Sequence, residues 1–287
     1  MGTPIGHLDD LSARAAEVLR RVEFVAAEDT RVTRTLLKRV TSGARLLAAH
    51  QHNEAEAAAR VVELLRGGAS VALVSDAGTP AISDPGAQVV SSVLAAGLRV
   101  IPIPGPSALT AMLSACGLAQ GGFIFEGFLP QRPGPRERRL RELATIGRTI
   151  VLFEAPHRIA DTCAAITAVF GASRLVALGR ELTKHFEEIA RMPAEALQAW
   201  LAEHPGRAKG EYVVVIGQPL PDPSLSAQPN EEEDAPGEPA TLKLETEGLL
   251  RALLPELGAR KASRLLERLA ALPGGSLYRM ATRLQER

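Results

Sequence analysis

Short apolar runs alternate along this chain with longer amphipathic stretches, and the alternation sets its plan. Val71-Ala72-Leu73-Val74 is an unbroken apolar run, short enough for a strand buried on both faces. A loop of small residues, Ser75-Asp76-Ala77-Gly78-Thr79-Pro80, follows it. Then come Asp84-Pro85-Gly86 and a helix-like run from Ala87 to Ala96 that Gly97 can stop. The same order of strand, polar loop and helix recurs on either side. Glu23 to Ala27 and Arg45 to Ala49 read as strands. Leu11, Ala15, Val18, Leu19 and Val22 share one face of a helix that Asp9, Asp10 or Ser12 can cap. A second helix opens at Asp29 or Thr30 and runs through Lys38, and a third covers Glu54 to Arg66. Leu98 to Ile103 is expected to be a strand, with Pro104-Gly105-Pro106-Ser107 as its loop and a helix running on to about Cys116. This regularity predicts a parallel α/β sheet with the loops Thr3–His7, Glu28–Arg31, Ser75–Pro80 and Pro104–Ser107 along one edge.

The texture changes after Gly117. Phe123 to Phe128, Thr149 to Phe153, Leu175 to Leu178 and Tyr212 to Ile216 read as strands. Between them lie a basic helix opening at Arg136-Glu137-Arg138-Arg139-Leu140-Arg141, a helix after Glu154-Ala155-Pro156-His157-Arg158, and a helix holding Trp200. The predicted organisation is therefore an N-terminal parallel α/β domain over 1–117 and a second α/β domain over 118–218. An acidic, proline-rich linker over 219–239 and a helical module over 240–287 complete it. The linker holds six prolines, six acidic residues and no basic residue, a composition that cannot bury enough apolar surface to fold. The tail carries nine Lys/Arg against five Asp/Glu. Ala262, Leu265, Leu266, Leu269 and Leu272 give it an apolar stripe before Pro273-Gly274-Gly275-Ser276, compatible with a helix-turn-helix-like module or a small bundle.

Composition narrows the reading. With 46% hydrophobic residues but only 3% aromatic ones, the cores must be mostly aliphatic. The 33 basic and 33 acidic residues cancel, so no global basic field announces nucleic acid; the arginines from Arg136 and the basic tail are local exceptions. Two cysteines without a pairing pattern fit a reducing cytoplasm, and no apolar run is long enough for a membrane span. No G-x-G-x-x-G occurs. His50 and His52 are two apart, but spacing places no third ligand beside them, so no metal is expected.

The loops carry chemistry as a set. Thr3-Pro4-Ile5-Gly6, Ala27-Glu28-Asp29-Thr30-Arg31, Ser75–Pro80 with Ser83-Asp84-Pro85-Gly86, and Pro104-Gly105-Pro106-Ser107-Ala108 occur in this order. Glu126-Gly127-Phe128-Leu129-Pro130, Glu154–Arg158, Arg180-Glu181-Leu182-Thr183-Lys184 and Lys209-Gly210-Glu211 follow. Together they resemble the tetrapyrrole methylase family, in its branch of ribosomal small-subunit RNA ribose 2′-O-methyltransferases. The resemblance is dense over 1–218 and looser in the tail. It departs at His7, where Asn is typical, and at the start, where the family has a strand ahead of Thr3-Pro4-Ile5-Gly6. The N-terminal domain is thus expected to lack its first strand.

The resemblance implies two α/β domains with S-adenosylmethionine in the cleft between them, in a cytoplasmic homodimer that methylates a cytidine ribose of 16S ribosomal RNA in the small subunit. It points to Pro4, Ser75, Asp76, Ala77, Gly78, Thr79, Pro80, Pro104, Ser107, Ala108 and Pro156 as cofactor contacts. Deprotonating a ribose hydroxyl calls for a base or a cation, and Lys184, Glu181 and Asp29, with Glu28 beside it, are the candidates. Lys184 can act as a desolvated base near Arg180, as a charged stabiliser of the alkoxide, or only as a surface partner of Glu187 or Glu188. Asp29 has a plainer role available as a helix cap. Two other functions compete: methylation of a tetrapyrrole or other small molecule on the same fold, and nucleotide binding without catalysis.

Overall fold

The computed structural model describes residues 1–119, 121–219, 250, 253–254, 257–264, 266, 277–278 and 282. The chain divides into two compact units, Met1–Leu220 and Pro221–Arg287. The predicted linker, the residues Leu265, Leu269 and Leu272 of the apolar stripe, and the Pro273–Ser276 turn lie outside the described residues. Of the tail, helical residues bury Leu250, Leu254, Ala262, Leu266 and Leu277 against one another.

The first sheet holds β1 (Phe24–Ala27), β2 (Arg45–Ala48) and β3 (Val71–Val74) in the order β2-β1-β3, all parallel. Alternate side chains of β1 serve opposite faces, as a period of two requires. Val25 and Ala27 pack with Leu19 of α1 (Ala13–Arg21) and with Leu36 and Leu37 of α2 (Thr30–Arg39). Ala26 packs with Ala57, Ala58 and Val61 of α3 (Glu54–Arg66) and with Val89 and Val93 of α4 (Ala87–Ala95). The caps are those the sequence offers: Ser12 accepts from the Ala15 amide, and Asp29 from the Arg31 amide.

One predicted strand is absent. Leu98–Ile103 forms no ladder, although its apolar run reads as a strand. A ladder needs a partner strand, and the contacts of this segment are isolated ones. The Met1 ammonium donates to the Leu73 carbonyl at 2.9 Å, and the Gly2 amide donates to Ile103 at 3.1 Å. Val100 and Ile101 are exposed.

The second sheet is mixed, with order β4-β5-β8-β6-β7. Its strands are β4 (Phe123–Phe128), β5 (Thr149–Glu154), β6 (Leu175–Arg180), β7 (Glu188–Pro193) and β8 (Tyr212–Ile216). Only the β4–β5 pair is parallel. The sequence reading missed β7, an edge strand whose charged, proline-terminated run Glu188-Ile189-Ala190-Arg191-Met192-Pro193 lacks the apolar density of a buried one. At the sheet's centre, β8 is buried along its whole length, as its run Tyr-Val-Val-Val-Ile demands. One face is covered by α6 (Pro133–Ala144), α7 (Ile159–Phe170) and α8 (Leu197–Glu203), with Leu140, Leu143, Ile166 and Leu197 against Leu152, Leu178 and Val214.

The other face is covered by α5 (Ala108–Cys116), whose Met112 and Cys116 pack on Val151, Ala177, Val213 and Val215. This helix follows the last loop of the first sheet yet builds the core of the second.

Candidate active site

Where loops of the two sheets meet, a cavity of about 350 Å³ opens. Its first wall comes from the loop after β3, with Ala77, Gly78 and Thr79, and from Ile82, Ser83 and Asp84 in the turn beyond. Ile5 and the start of α5, Ser107 and Ala108, extend that wall. The second wall is Phe128 at the end of β4, Phe153 to Pro156 at the end of β5, Leu182 and Lys184 after β6, and Glu211 to Val213 entering β8.

The loop after β3 is tied down from behind. Thr3 and Gly78 exchange both backbone hydrogen bonds, and the Thr3 hydroxyl lies 3.1 Å from the Ser75 carbonyl, to which it donates. The buried Ser75 hydroxyl donates to the Gly78 carbonyl at 3.3 Å. Asp76 Oδ1 accepts from the Asp29 amide at 2.9 Å, joining the loops after β1 and β3. Gly78 sits at φ +78°, a conformation glycine takes without strain.

Of the residues singled out from sequence, Ala77, Gly78, Thr79, Ser107, Ala108, Pro156 and Lys184 line the cavity. Pro4, Ser75, Asp76, Pro80, Pro104, Asp29 and Glu181 do not. Ser75 and Asp76 hold the loop's shape, as above. Asp29 caps α2 and grips the Arg31 guanidinium at 2.6 Å, which brings its carboxyl down to about 2. Glu28 is pushed the other way, by burial and by the charges of Asp84 and Asp76.

Lys184 is held from two sides. Its Nζ donates to Glu181 Oε1 and to Glu211 Oε2, both at 2.9 Å. Burial works to lower its pKa, but these two hydrogen bonds outweigh it, and the net direction is upward. Glu181 moves down: burial opposes its ionisation, but the Lys184 ammonium and the Glu211 amide prevail. Of the three roles open to Lys184, the desolvated base finds no support here: its neighbours are carboxylates, and Arg180 instead donates to the carbonyls of Lys209, Phe186 and Gly206. Nor does Lys184 pair with Glu187 or Glu188; Glu187 accepts from the Thr183 amide and Glu188 binds Arg207. An ammonium has three donors. Two are taken, which leaves one for the cavity.

Twelve of the nineteen lining residues were not named as site residues from the sequence, among them Asp84, Glu211, Phe128 and Ile82. Asp84 is half-buried, and its carboxyl pKa is raised by burial first and then by the charges of Asp76 and Glu211, against a lowering hydrogen bond from Ser75. The Ser83-Asp84-Pro85-Gly86 motif stands out in the sequence only as part of a pattern; nothing in it foretells that Asp84 lines the cavity. Of the charged lining residues, Glu154 is buried and paired with Arg158, and Glu211 is paired with Lys184; Asp84 has no ion-pair partner among the described residues.

The backbone is left-handed at five non-glycine residues among those described: Thr41, Ala81, Ser83, Glu181 and Thr183. All but Thr41 lie in the two turns that flank the cavity. Such strain gathers where the surrounding structure must fix a site. The basic helix α6 contributes less charge than its sequence suggests. Arg136 is buried, Arg139 binds Glu126 and Glu142, and Arg141 pairs with Glu137. His50 and His52 meet edge to edge at 6.1 Å, and among the described residues no group of three or more His, Cys, Asp or Glu is arranged to hold a metal.

A two-sheet body with its cavity framed by strand-end loops is the architecture of a methylase class, and residues 1–198 match the family model of the tetrapyrrole (corrin/porphyrin) methylases. The chain belongs to that family. Within it, the chain is 42% identical over 285 residues to the ribosomal RNA small subunit methyltransferase I of Pseudomonas aeruginosa, covering 99% of this chain and 96% of the relative. The protein of the same name from Escherichia coli O157:H7 is 41% identical over 283 residues, covering 99% and 93%. Among solved structures, the methyltransferase CobJ superposes with a TM-score of 0.57 at 19% identity, covering 76% of this chain and 92% of that one. Uroporphyrin-III C-methyl transferase from Thermus thermophilus, complexed with S-adenyl homocysteine, gives 0.54 at 18%, covering 76% and 95%. At these identities the structural likeness establishes the fold.

Proposed function

We infer that this chain is an S-adenosylmethionine-dependent methyltransferase acting on the 2′-hydroxyl of a cytidine in 16S ribosomal RNA. The observation that carries the reading is likeness over nearly the full chain to relatives named ribosomal RNA small subunit methyltransferase I. The resemblance that the loop motifs carry implies the ribose and the cytidine. On this reading the enzyme works in the cytoplasm on the small ribosomal subunit, as a homodimer.

The cavity fits such a cofactor by the chemistry of its lining. Small residues line it at Ala77, Gly78, Ser107 and Ala108, and the Asp84 carboxylate favours a cation. The residues to hold it are those of the Ala77–Thr79 loop, with Ser107, Ala108 and Pro156. When bound, S-adenosylmethionine supplies a methyl group on a positively charged sulfonium.

The chain's own residues handle the oxygen. A ribose hydroxyl is a very weak acid and must lose its proton as the new O–C bond forms. Asp84 is the carboxylate on the wall with raised basicity and serves as the acceptor. Lys184 stays charged and turns its third donor towards the oxygen, which is electrostatic stabilisation in a fixed geometry. Glu181 and Glu211 hold that ammonium in place.

The tetrapyrrole alternative is disfavoured by the relatives, which match nearly the full chain at about 40% identity and are named for ribosomal RNA.

The test is transfer of tritium from labelled S-adenosylmethionine into unmethylated small subunits. The expected product is a single linkage resistant to alkali, because a methylated 2′-oxygen cannot attack its phosphate. Label in a base, or in a porphyrin but not in RNA, overturns the reading.

A further inference from the structure

Phe128 is 53% exposed, yet it lines the cavity. The nearby rings are anchored: Phe125 and Phe153 pack into the core beneath α5 and meet edge to face at 4.9 Å. Among the described aromatic rings Phe128 pairs with Phe153, at 5.9 Å and 64°. A break in register between Phe125 and Gly127 re-aims the end of β4.

The bulge also brings β4 against the first wall. Gly127 is at φ +74°, and a β-carbon there would lie 2.8 Å from Ser83 Oγ. The chain neighbours of Gly127 and Ser83, Phe128 and Ile82, both line the cavity. Ile82 is 39% exposed and is presented by a turn left-handed at both Ala81 and Ser83. Two bare apolar side chains, one from each sheet, thus border one opening, in a protein with seven phenylalanines in all. Neither belongs to a packed core cluster. A flat aromatic face beside a branched aliphatic side chain matches a planar, apolar-faced ligand group.

We propose that Phe128 and Ile82 form a clamp for a nucleobase, with the base stacked on the Phe128 ring. The proposal rests on the methyltransferase reading, which supplies two bases of this chemistry: the adenine of the cofactor and the target base in RNA. Stacking of a base on an aromatic side chain is worth a factor of about five to a hundred in affinity.

Phe128→Leu keeps apolar bulk and removes the aromatic face; Phe128→Trp keeps the face. Affinity for S-adenosylhomocysteine is read by calorimetry, and KM for small subunits by methyl transfer, with melting curves as a control for folding. The Leu variant is expected to lose at least fivefold in one of the two and the Trp variant to retain wild-type values. Loss of cofactor affinity identifies adenine as the stacked base, and a raised KM with unchanged cofactor affinity identifies the target base. The indole introduced by Phe128→Trp should be quenched by the same ligand. Less than fivefold change in both for the Leu variant, equal impairment of the Trp variant, or no quenching by either ligand overturns the clamp. If the wild type transfers no methyl group to small subunits, the RNA reading fails, and the clamp is then judged on S-adenosylhomocysteine alone.

Discussion

Lys184 Nζ and Glu211 Oε2 stand 2.9 Å apart, although 27 residues of chain separate them and each leaves a different strand end. The contact closes the second wall of the cavity and fixes the lysine as a cation. Lys184→Ala is therefore expected to lower the single-turnover methyl-transfer rate by about 10²-fold, with affinity for S-adenosylhomocysteine unchanged. Lys184→Arg should recover much of the rate, since charge rather than basicity is required. An arginine variant as slow as the alanine variant would restore the base role; an alanine variant at wild-type rate would remove Lys184 from the chemistry.

Asp84 gives a pH signature. Its carboxyl binds protons more tightly in the folded chain than in the unfolded one. Activity should fall as pH drops through its raised pKa, and Asp84→Asn should abolish that acid limb while slowing transfer by about 10²-fold. Stability runs the opposite way. Protonated Asp84 favours the fold, so its contribution is lost as pH rises from the unfolded carboxyl value, about 3.9, through the folded one. Asp84→Asn should raise the melting temperature at pH 7 and leave it unchanged at pH 3. A variant with an intact acid limb would move the base elsewhere.

Asp29 should behave as a cap and not as a base. Its carboxyl is brought down to about 2 by Arg31, so its stabilising contribution is full above the unfolded value and disappears as pH falls towards 2. Asp29→Ala should melt earlier than wild type at pH 7, converge with it near pH 2, and transfer methyl groups at the normal rate. A large loss of rate with normal melting would make Asp29 part of the reaction.

Gly78 carries both fold and site. At φ +78°, a residue with a side chain costs about 1–2 kcal/mol, and its β-carbon would lie 3.4 Å from Ile5. Gly78→Val is expected to lower melting modestly and weaken S-adenosylhomocysteine binding at least tenfold in calorimetry. Unchanged affinity would take this loop out of the cofactor site.

Local physics was legible and long-range assembly was not. Tyr212-Val213-Val214-Val215-Ile216 announced a central strand, and Ser12 and Asp29 announced their helix starts, because each depends on its own few residues. The same rules misread Leu98–Ile103, whose apolarity is real but whose ladder depends on a partner elsewhere. They passed over β7, which is a strand because β6 pairs with it. The site divides in the same way. Loops at strand ends advertised Ala77–Thr79, Ser107 and Lys184. Phe128, Ile82, Asp84 and Glu211 reach the cavity only through contact between two sheets, which no spacing along the chain encodes.

The left-handed turns at Ala81, Ser83, Glu181 and Thr183 set this protein's response to selection in the laboratory. Each holds about 1–3 kcal/mol of backbone strain. A population evolved for heat resistance alone would be drawn to these positions, where glycine or asparagine relieves that strain. A population required to keep turning over would be driven from them, since relaxed turns no longer aim Ile82 and Lys184. The two lineages would diverge first at the same four codons.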